Sequence, residues 1–344
     1  MSVPAAVHGG LLLVDKPAGV TSFAVVDHVR RELVRAHPEL APRRRRGGGP
    51  RPPRYKCGHA GTLDPLATGL LLVLVGKGSR LSHFLLGLDK SYAATVRLGV
   101  ATDSLDADGE VTATAPLPAG PEAVAAVLDR FRGEIDQVPP LVSALKRDGQ
   151  PLYKLARSGK DVPAPAARPV RIASLALTAA RWGADTADID LHVACGSGTY
   201  IRSLARDVAE AAGTLGHVTA LRRLTIGPFD VADAVAGVMD LDGAALASRL
   251  RPLEAALPHL PRLAVAADEA ARIRLGGQPE SAWLPRLDGA PYDAGDKGRL
   301  FRICGPDGGL VAVGCLDEET GAPRLAVGIP ANAADDADAD RTER

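Results

Sequence analysis

The stretch Lys56–Gly69, KCGHAGTLDPLATG, holds one histidine, one aspartate and three glycines, and the apolar run LLLVLVG follows at once. It sets a lone carboxylate, Asp64, between a turn and a strand that reads as buried, framed by Thr62, Leu63 and Pro65. Arg202, in GTYIR at the mouth of a helix, is a cation able to keep such a carboxylate ionised. An adjacent arginine would hold an aspartate roughly 1–3 below its usual pKa, giving an anionic nucleophile at neutral pH. Tyr92 and Tyr200 could hold a flat ring, and aromatics with an arginine are how proteins grip an unstacked base. His59 stands five residues before Asp64. Each residue alone has an ordinary alternative: a loop histidine, a core tyrosine, a surface helix cation, a helix cap. Together they offer a carboxylate, its counter-charge and a platform for a base.

Other chemistries find less support. SLDADGE places Asp106, Asp108 and Gly109 at calcium-loop offsets, but the first ligand position would be Ser104 and the twelfth Ala115. It reads as a turn between strands. GSGTYI lacks the third glycine of a dinucleotide loop and the Gly-Lys-Ser/Thr of a P-loop. Neither G-x-S-x-G nor H-E-x-x-H occurs, and the eight histidines do not cluster, so no metal site is expected. The four cysteines (Cys57, Cys195, Cys304, Cys315) form no C-x-x-C pair, which argues against zinc and a disulfide framework and for a reducing compartment. No run reaches ~18 apolar residues, so neither a signal peptide nor a membrane span is read and a cytoplasmic location is expected.

Lysine plus arginine and aspartate plus glutamate balance at 41 each over 344 residues, but their distribution is uneven. Residues 1–60 carry eleven basic and four acidic side chains, next to the Asp64 loop, whereas the last fourteen residues carry five acids and two arginines. A basic face within a neutral chain suits a polyanion.

These groups need elements to position them. GLLLVDKPAG reads as a buried strand ending in a Pro-Gly turn. Thr21 or Ser22 then caps a helix over FAVVDHVRRELV. Residues 36–54, with Pro, Gly and Arg43–Arg46, cannot bury a face and read as a disordered basic loop. Strands are expected at Leu70–Val75, KSYAATVRLG, VRIASLALTAARW, TADIDLHVACGSG and HVTALRRLTIGPF. Helices are expected at Ser79–Leu86, over PEAVAAVLDRFRG, and over TYIRSLARDVAEAAG with Thr199 near its cap and Gly213 at its end. Rising proline content near Leu257–Pro261 marks a boundary. Beyond it come a helix over Asp268–Leu275, a hairpin in GRLFRICGPDGGLVAVGCLDEE and a closing strand in APRLAVGI. Without regular βαβ alternation the class is α+β with a mixed sheet. The expected units are a catalytic domain over 1–256, a small β-rich domain over 257–330 and an acidic disordered tail over 331–344.

The segment GHAGTLDPLATGLLLVLVGKGSR resembles the catalytic segment of TruB-type tRNA pseudouridine-55 synthases. The resemblance continues in order through LLLVDKPAGVTS, KSYAATVRLGVATDSLDADGE, VPPLVSALKRDGQPLYKLARSGK and CGSGTYIRSLARDVAEAAGTLGHVTALRRLTIGPF, covering about residues 9–230. It implies a pseudouridine synthase fold and a stand-alone enzyme that turns the uridine at T-loop position 55 of tRNA into pseudouridine, without metal or cofactor. It implies Asp64 as catalytic aspartate, Tyr92 stacking on the target uracil and placed for proton transfer, and Arg202 paired with the nucleophile. Tyr200 and Leu221 match pocket residues around the flipped base, and His59 the histidine inserted into the T-loop. Lys16 matches a lysine of the first block with a structural or backbone role. The implied partner is tRNA, at its T-arm, elbow and acceptor stem, with no obligate protein partner and a monomeric chain. The 36–54 segment is longer than the resemblance leads one to expect. The C-terminal module could be PUA-like or lineage-specific. A tRNA-folding chaperone with little catalysis is the rival from another class, and a synthase working inside guide-RNA particles is the second.

Overall fold

The computed structural model describes residues 5–41, 55–141, 165–295 and 298–330, together with two short strands at Lys146–Arg147 and Gln150–Pro151. Most of the basic segment, the tail from 331 on and most of LVSALKRDGQPLYKLARSGK lie outside the described residues. The chain is ordered through Ala41, since Pro38–Leu40 form a 3-10 turn, so the segment read as disordered from residue 36 is structured over its first residues.

The architecture is α+β. Strands β1 (Gly9–Lys16), β2 (Cys57–His59), β3 (Thr68–Gly76), β4 (Lys90–Leu98), β7 (Gly133–Gln137), β8 (Arg168–Trp182), β9 (Ala187–Cys195) and β10 (Gly216–Ile226) build a mixed sheet in the order β1-β3-β10-β4-β9-β8-β7. Strand β2 pairs with β3, and Arg251–Pro252 adds an edge beside β1. The hairpin of β5 (Val100–Thr102) and β6 (Val111–Thr114) is a separate two-stranded sheet, joined by the SLDADGE turn and tied to β10 by the Val218 N–H on the Leu105 carbonyl at 3.1 Å.

Strands β1 and β3 are apolar on both faces because both are covered. Leu12, Val14, Leu71, Val73 and Val75 pack on helix α1 (Ser22–Ala36) through Val25, Val26, Val29 and Leu33. Thr21 caps that helix by accepting the Ala24 N–H at 3.0 Å. Tyr92, Ala94, Val96, Ile189 and Val193 share a core with Ile201, Leu204, Ala205 and Val208 of helix α2 (Ile201–Ala211). The alternation of β4 and β9 is that of strands half-covered by one helix.

Two expected helices are shorter than read. Residues 121–133 form one α-turn, Pro121–Ala125, and a 3-10 turn, Leu128–Phe131, in which Val124 and Leu128 are buried and Phe131 packs half-buried against the same core. The stretch after β3 begins as a 3-10 turn, Lys77–Leu81, with Gly78 packed on the Gly10 backbone, before Ser82–Leu86 turn α-helical.

A second sheet, among the described residues, orders Arg262–Ala264, Arg299–Cys304, Leu310–Leu316 and Pro323–Gly328, with Tyr292–Asp293 at its side. Its Leu300, Leu310, Val313 and Ile329 join one apolar cluster with Leu11, Leu13, Leu70, Leu72 and Leu74. The small β-rich module therefore shares a core with the first sheet. No helix among the described residues is long and apolar enough to cross a membrane.

The two halves of the large sheet meet where β3 runs parallel to β10 over two rungs only, Thr68 with Arg222 and Gly69 with Arg223. Gly69 has φ +99°, and a Cβ there would stand 2.2 Å from the Arg223 carbonyl oxygen. Gly69→Ala is expected to lose about 3 kcal/mol or more of stability, from backbone strain and overlap together. Gly58→Ala, where a Cβ meets nothing within 4 Å, is expected to be near neutral. Urea midpoints of the two variants check this; equal midpoints would remove the claim that the junction is sterically set.

Candidate active site

Asp64 lies on the loop between β2 and β3, and both ends of that loop are tied down. The Ala60 N–H donates to the Leu72 carbonyl at 3.0 Å, and the Ala67 N–H to the Asp64 carbonyl at 3.1 Å. The buried Ser22 hydroxyl donates to the Leu63 carbonyl at 2.9 Å and accepts the Leu63 N–H at 2.8 Å, fastening the residue before Asp64 to the start of α1. Behind the loop Lys16 is wholly buried, and its ammonium donates to the carbonyls of Pro17 and Val20 at 2.8 Å and of Pro65 at 3.3 Å. Burial lowers the Lys16 pKa to about 8, with Asp64 pulling the other way. The Gly19 N–H donates to the Pro65 carbonyl at 2.8 Å. The Pro-Gly turn after β1 is thus the floor of the Asp64 loop.

Arg202 faces Asp64 from the first turn of α2, with Nε 3.0 Å from Oδ2. The same guanidinium meets a second carboxylate, Asp106, at 3.2 Å, and donates to the Ser104 carbonyl at 2.7 Å. Asp106 is 5% exposed, and it accepts from the Ser104 hydroxyl and from the Asp108 N–H. Arg202 is therefore a bridge between two acids, fixed on its far side by the turn read from sequence as a plain connection.

This bridge does not lower the Asp64 pKa as the sequence led one to expect. The Asp64 side chain keeps 36% of its surface open to the cleft, yet burial is the largest influence on it and pushes its carboxyl above the usual carboxylate range. Arg202 opposes that rise, Asp106 adds to it as a like charge, and Lys16 pulls down weakly. An arginine shared by two acids neutralises each less than one it serves alone.

Tyr92 and Leu221 are brought to the same place. Across β4 and β10, Tyr92 stands opposite Arg223 and Ala94 opposite Leu221, so these four side chains share a face. Tyr92 is 7% exposed, and burial pushes its phenol up while Arg223 opposes. Arg223 is 1% exposed and was missed in the sequence reading. Its guanidinium reaches the Tyr92 hydroxyl and donates to the carbonyls of Leu70 at 2.7 Å, Gly61 at 3.1 Å and Thr62 at 3.4 Å. One buried cation thus joins the tyrosine, the Asp64 loop and β3.

Tyr200 is the N-cap of α2, in place of the expected Thr199, whose hydroxyl turns back to the Gly196 carbonyl at 3.0 Å. The cap has no side-chain bond of its own. Gln137, fully buried at the end of β7, holds the cap residue's own backbone instead: its amide oxygen accepts the Tyr200 N–H at 2.8 Å and its amide nitrogen donates to the Tyr200 carbonyl at 3.1 Å. The Tyr200 ring carries the Arg168 guanidinium 5.0 Å from its centroid. His59 ends β2, and burial and then Arg223 lower its pKa, which leaves a neutral ring.

A cavity of about 830 Å³ opens beside this cluster, with Leu66, Thr68, Ala94, Leu221 and Arg222 among its walls. Asp64, Tyr92 and Arg202 are not among them, so it adjoins the carboxylate rather than containing it. No group of three or more potential metal ligands occurs among the described residues.

Comparison with known proteins places this geometry in context. Residues 51–201 match the N-terminal domain of the TruB family of pseudouridylate synthases, and residues 202–258 match a tRNA pseudouridylate synthase B C-terminal domain. The chain is 43% identical over 270 residues to tRNA pseudouridine synthase B of Aromatoleum aromaticum, covering 78% of this chain and 80% of that one. It is 42% identical over 296 residues to the protein of the same name from Chromohalobacter salexigens, covering 85% and 87%. A crystal structure of a Cbf5-Nop10-Gar1 complex superposes with a TM-score of 0.65 at 24% identity, over 95% of this chain and 86% of that one, a likeness of fold.

The raised Asp64 pKa has a sign that stability can read. The folded protein binds the Asp64 proton more tightly than the unfolded chain does, so the charged form weakens folding above the folded-state pKa. That loss disappears as pH falls through the same pKa. Asp64→Asn is expected to raise the denaturant midpoint at pH 7, with the gap from the parent closing toward pH 4. A lower midpoint at pH 7 would contradict the direction of the shift.

Proposed function

Because the chain belongs to the TruB family of pseudouridylate synthases, we propose that it converts uridine 55 in the T-loop of tRNA to pseudouridine, with Asp64 as the nucleophile. The protein is a tRNA pseudouridine synthase, an isomerase. The observation that supports the finer reading best is the single arginine held between Asp64 and the buried Asp106. It keeps a carboxylate in place at the edge of a cleft with a tyrosine on one side and apolar walls on the other.

The reaction balances without an outside reductant or oxidant. The bond from uracil N1 to ribose C1′ breaks, the base rotates, and C5 bonds to C1′. The proton leaves C5 and N1 gains one. Asp64 acts on the target nucleotide in its ionised form, whether at the sugar or at the base. Arg202 orients it. Tyr92 stacks on the uracil and stands where a sugar proton can be moved. Leu221 and Leu66 keep the detached base dry, and Tyr200 closes the pocket. A base must leave its stack to reach this site, at a few kcal/mol, and contacts along the T-arm offset that. His59, neutral, fills the space the base vacates. Elbow and acceptor stem reach the C-terminal module, and Arg43–Arg46 add phosphate contacts. The protein acts alone, as a monomer in the cytoplasm.

Release of tritium from T-arm RNA carrying 5-³H-uridine tests this. The parent is expected to release it and Asp64→Asn to release none. No release by the parent would favour the chaperone reading, and release by the variant would remove Asp64 from its role. The kcat/KM profile of the parent is expected to have an acid limb above the ordinary aspartate value of 3.8. Asp106→Asn removes the like charge, so its limb should move to lower pH. Its kcat should fall by about 100-fold, the scale of loss for a displaced reacting group. An unmoved limb would remove Asp106 from the electrostatics of the site.

A further inference from the structure

Phe23 is the second residue of α1, and 72% of it is exposed, the most of any aromatic side chain among the described residues. Single exposed apolar residues are ordinary; the setting of this one is not. Its neighbour Ser22 holds Leu63 by two hydrogen bonds, so Phe23 stands one residue from the clamp on the Asp64 loop. A shallow groove of about 320 Å³ runs from Phe23 between α1 and β2, past Asp27, Arg30, Lys56 and Cys57. Strand β2 ends at His59, three residues beyond Lys56, about 10 Å along an extended chain.

The charge of this groove is positive. Asp27 is its one acid, and that acid is shared by Arg30 and Arg31. Lys56 is exposed and forms no ion pair among the described residues. An adjoining cavity of about 340 Å³ shares Tyr55, Lys56 and Ser79, adds Lys77 and Arg80, and has no acid among the described residues that line it. An exposed aromatic ring at the end of a cationic track is the arrangement that binds single-stranded nucleic acid, with the ring under a base and the cations at the phosphates. A protein partner would favour a broad aliphatic patch, which the groove lacks.

We propose that Phe23 is a stacking platform for an unpaired base of the substrate RNA near the target nucleotide, with Lys56 and Arg30 at the adjoining phosphate. This rests on the synthase reading above. The stack is made as RNA docks and is kept through the reaction. It therefore contributes to binding and not to the chemical step.

The test compares parent, Phe23→Ala, Phe23→Tyr and Lys56→Ala by tritium release from the same RNA. Phe23→Ala is expected to raise KM about fivefold or more with kcat within about twofold, and Phe23→Tyr to behave as the parent. Lys56→Ala should weaken binding and reduce the salt slope by about one, whereas Phe23→Ala leaves the slope unchanged. Phe23→Trp adds a third indole to Trp182 and Trp283, and RNA should quench its emission beyond the change seen in the parent. A KM for Phe23→Ala within about twofold of the parent, or no added quenching in Phe23→Trp, overturns the proposal. A parent that releases no tritium instead overturns the synthase reading, so the two failures are distinct. The exposed position makes misfolding an easily checked alternative, by matching the melting curve of Phe23→Ala to that of the parent.

Discussion

One guanidinium governs the site. Arg202 is 5% exposed and stands between Asp64 and Asp106. A buried cation needs a counter-charge and full hydrogen bonding, because desolvation otherwise outweighs the attraction. Asp106 and the Ser104 carbonyl answer that need from the rear. Asp64 is then not the sole support of Arg202 and remains partly open to the cleft. Burial raises its pKa and Arg202 restrains that rise. The carboxylate is thus ready to exchange the arginine for another partner in a way that a tightly bound structural ion pair is not.

The rest of the fold can be understood as what keeps that arginine and that aspartate facing each other. Asp64 comes from the β2–β3 loop, Arg202 from α2 and Asp106 from the β5–β6 hairpin, elements far apart in sequence. Arg223 ties the Asp64 loop to β3 and to Tyr92 at the place where the two halves of the sheet meet. Lys16 holds the loop from beneath, Ser22 from the side. Gln137 fixes the backbone of Tyr200, and through it the first turn of α2. The second sheet shares the apolar cluster of β1 and β3, so the strand on which the Asp64 loop is mounted is buttressed from both faces.

Much of this was legible in the residues. Strands β1, β3, β4, β8, β9 and β10, the capping of α1 at Thr21 or Ser22, α2 and the hairpin of the second sheet follow from local periodicity and turn chemistry, whereas the short strands β2 and β7 do not. The TruB resemblance brought together Asp64, Tyr92, Arg202, Tyr200, Leu221, His59 and Lys16; in the structure Arg202 meets Asp64, Lys16 meets the loop that carries it, and Leu221 shares a face with Tyr92. What escaped notice was set by distant contacts. Asp106 looks like any turn aspartate until the β5–β6 hairpin folds against α2, and Ser104 is 98 residues from the arginine it accepts from. Arg223 did leave a trace, because it falls at an inward position two after Leu221 in an alternating strand. A charge there calls for a buried partner. The direction of the Asp64 shift was misjudged for the same reason: a neighbouring arginine is visible in a motif, whereas burial and a second acid are not.

The balance at Asp64 is measured most directly by carboxyl carbon NMR titration of the RNA-free protein, with the Asp64 signal assigned by its loss in Asp64→Asn. The midpoint is predicted to lie above the ordinary 3.8. A midpoint at or below that value would mean that Arg202 serves Asp64 alone and outweighs burial, contrary to the shared-arginine account.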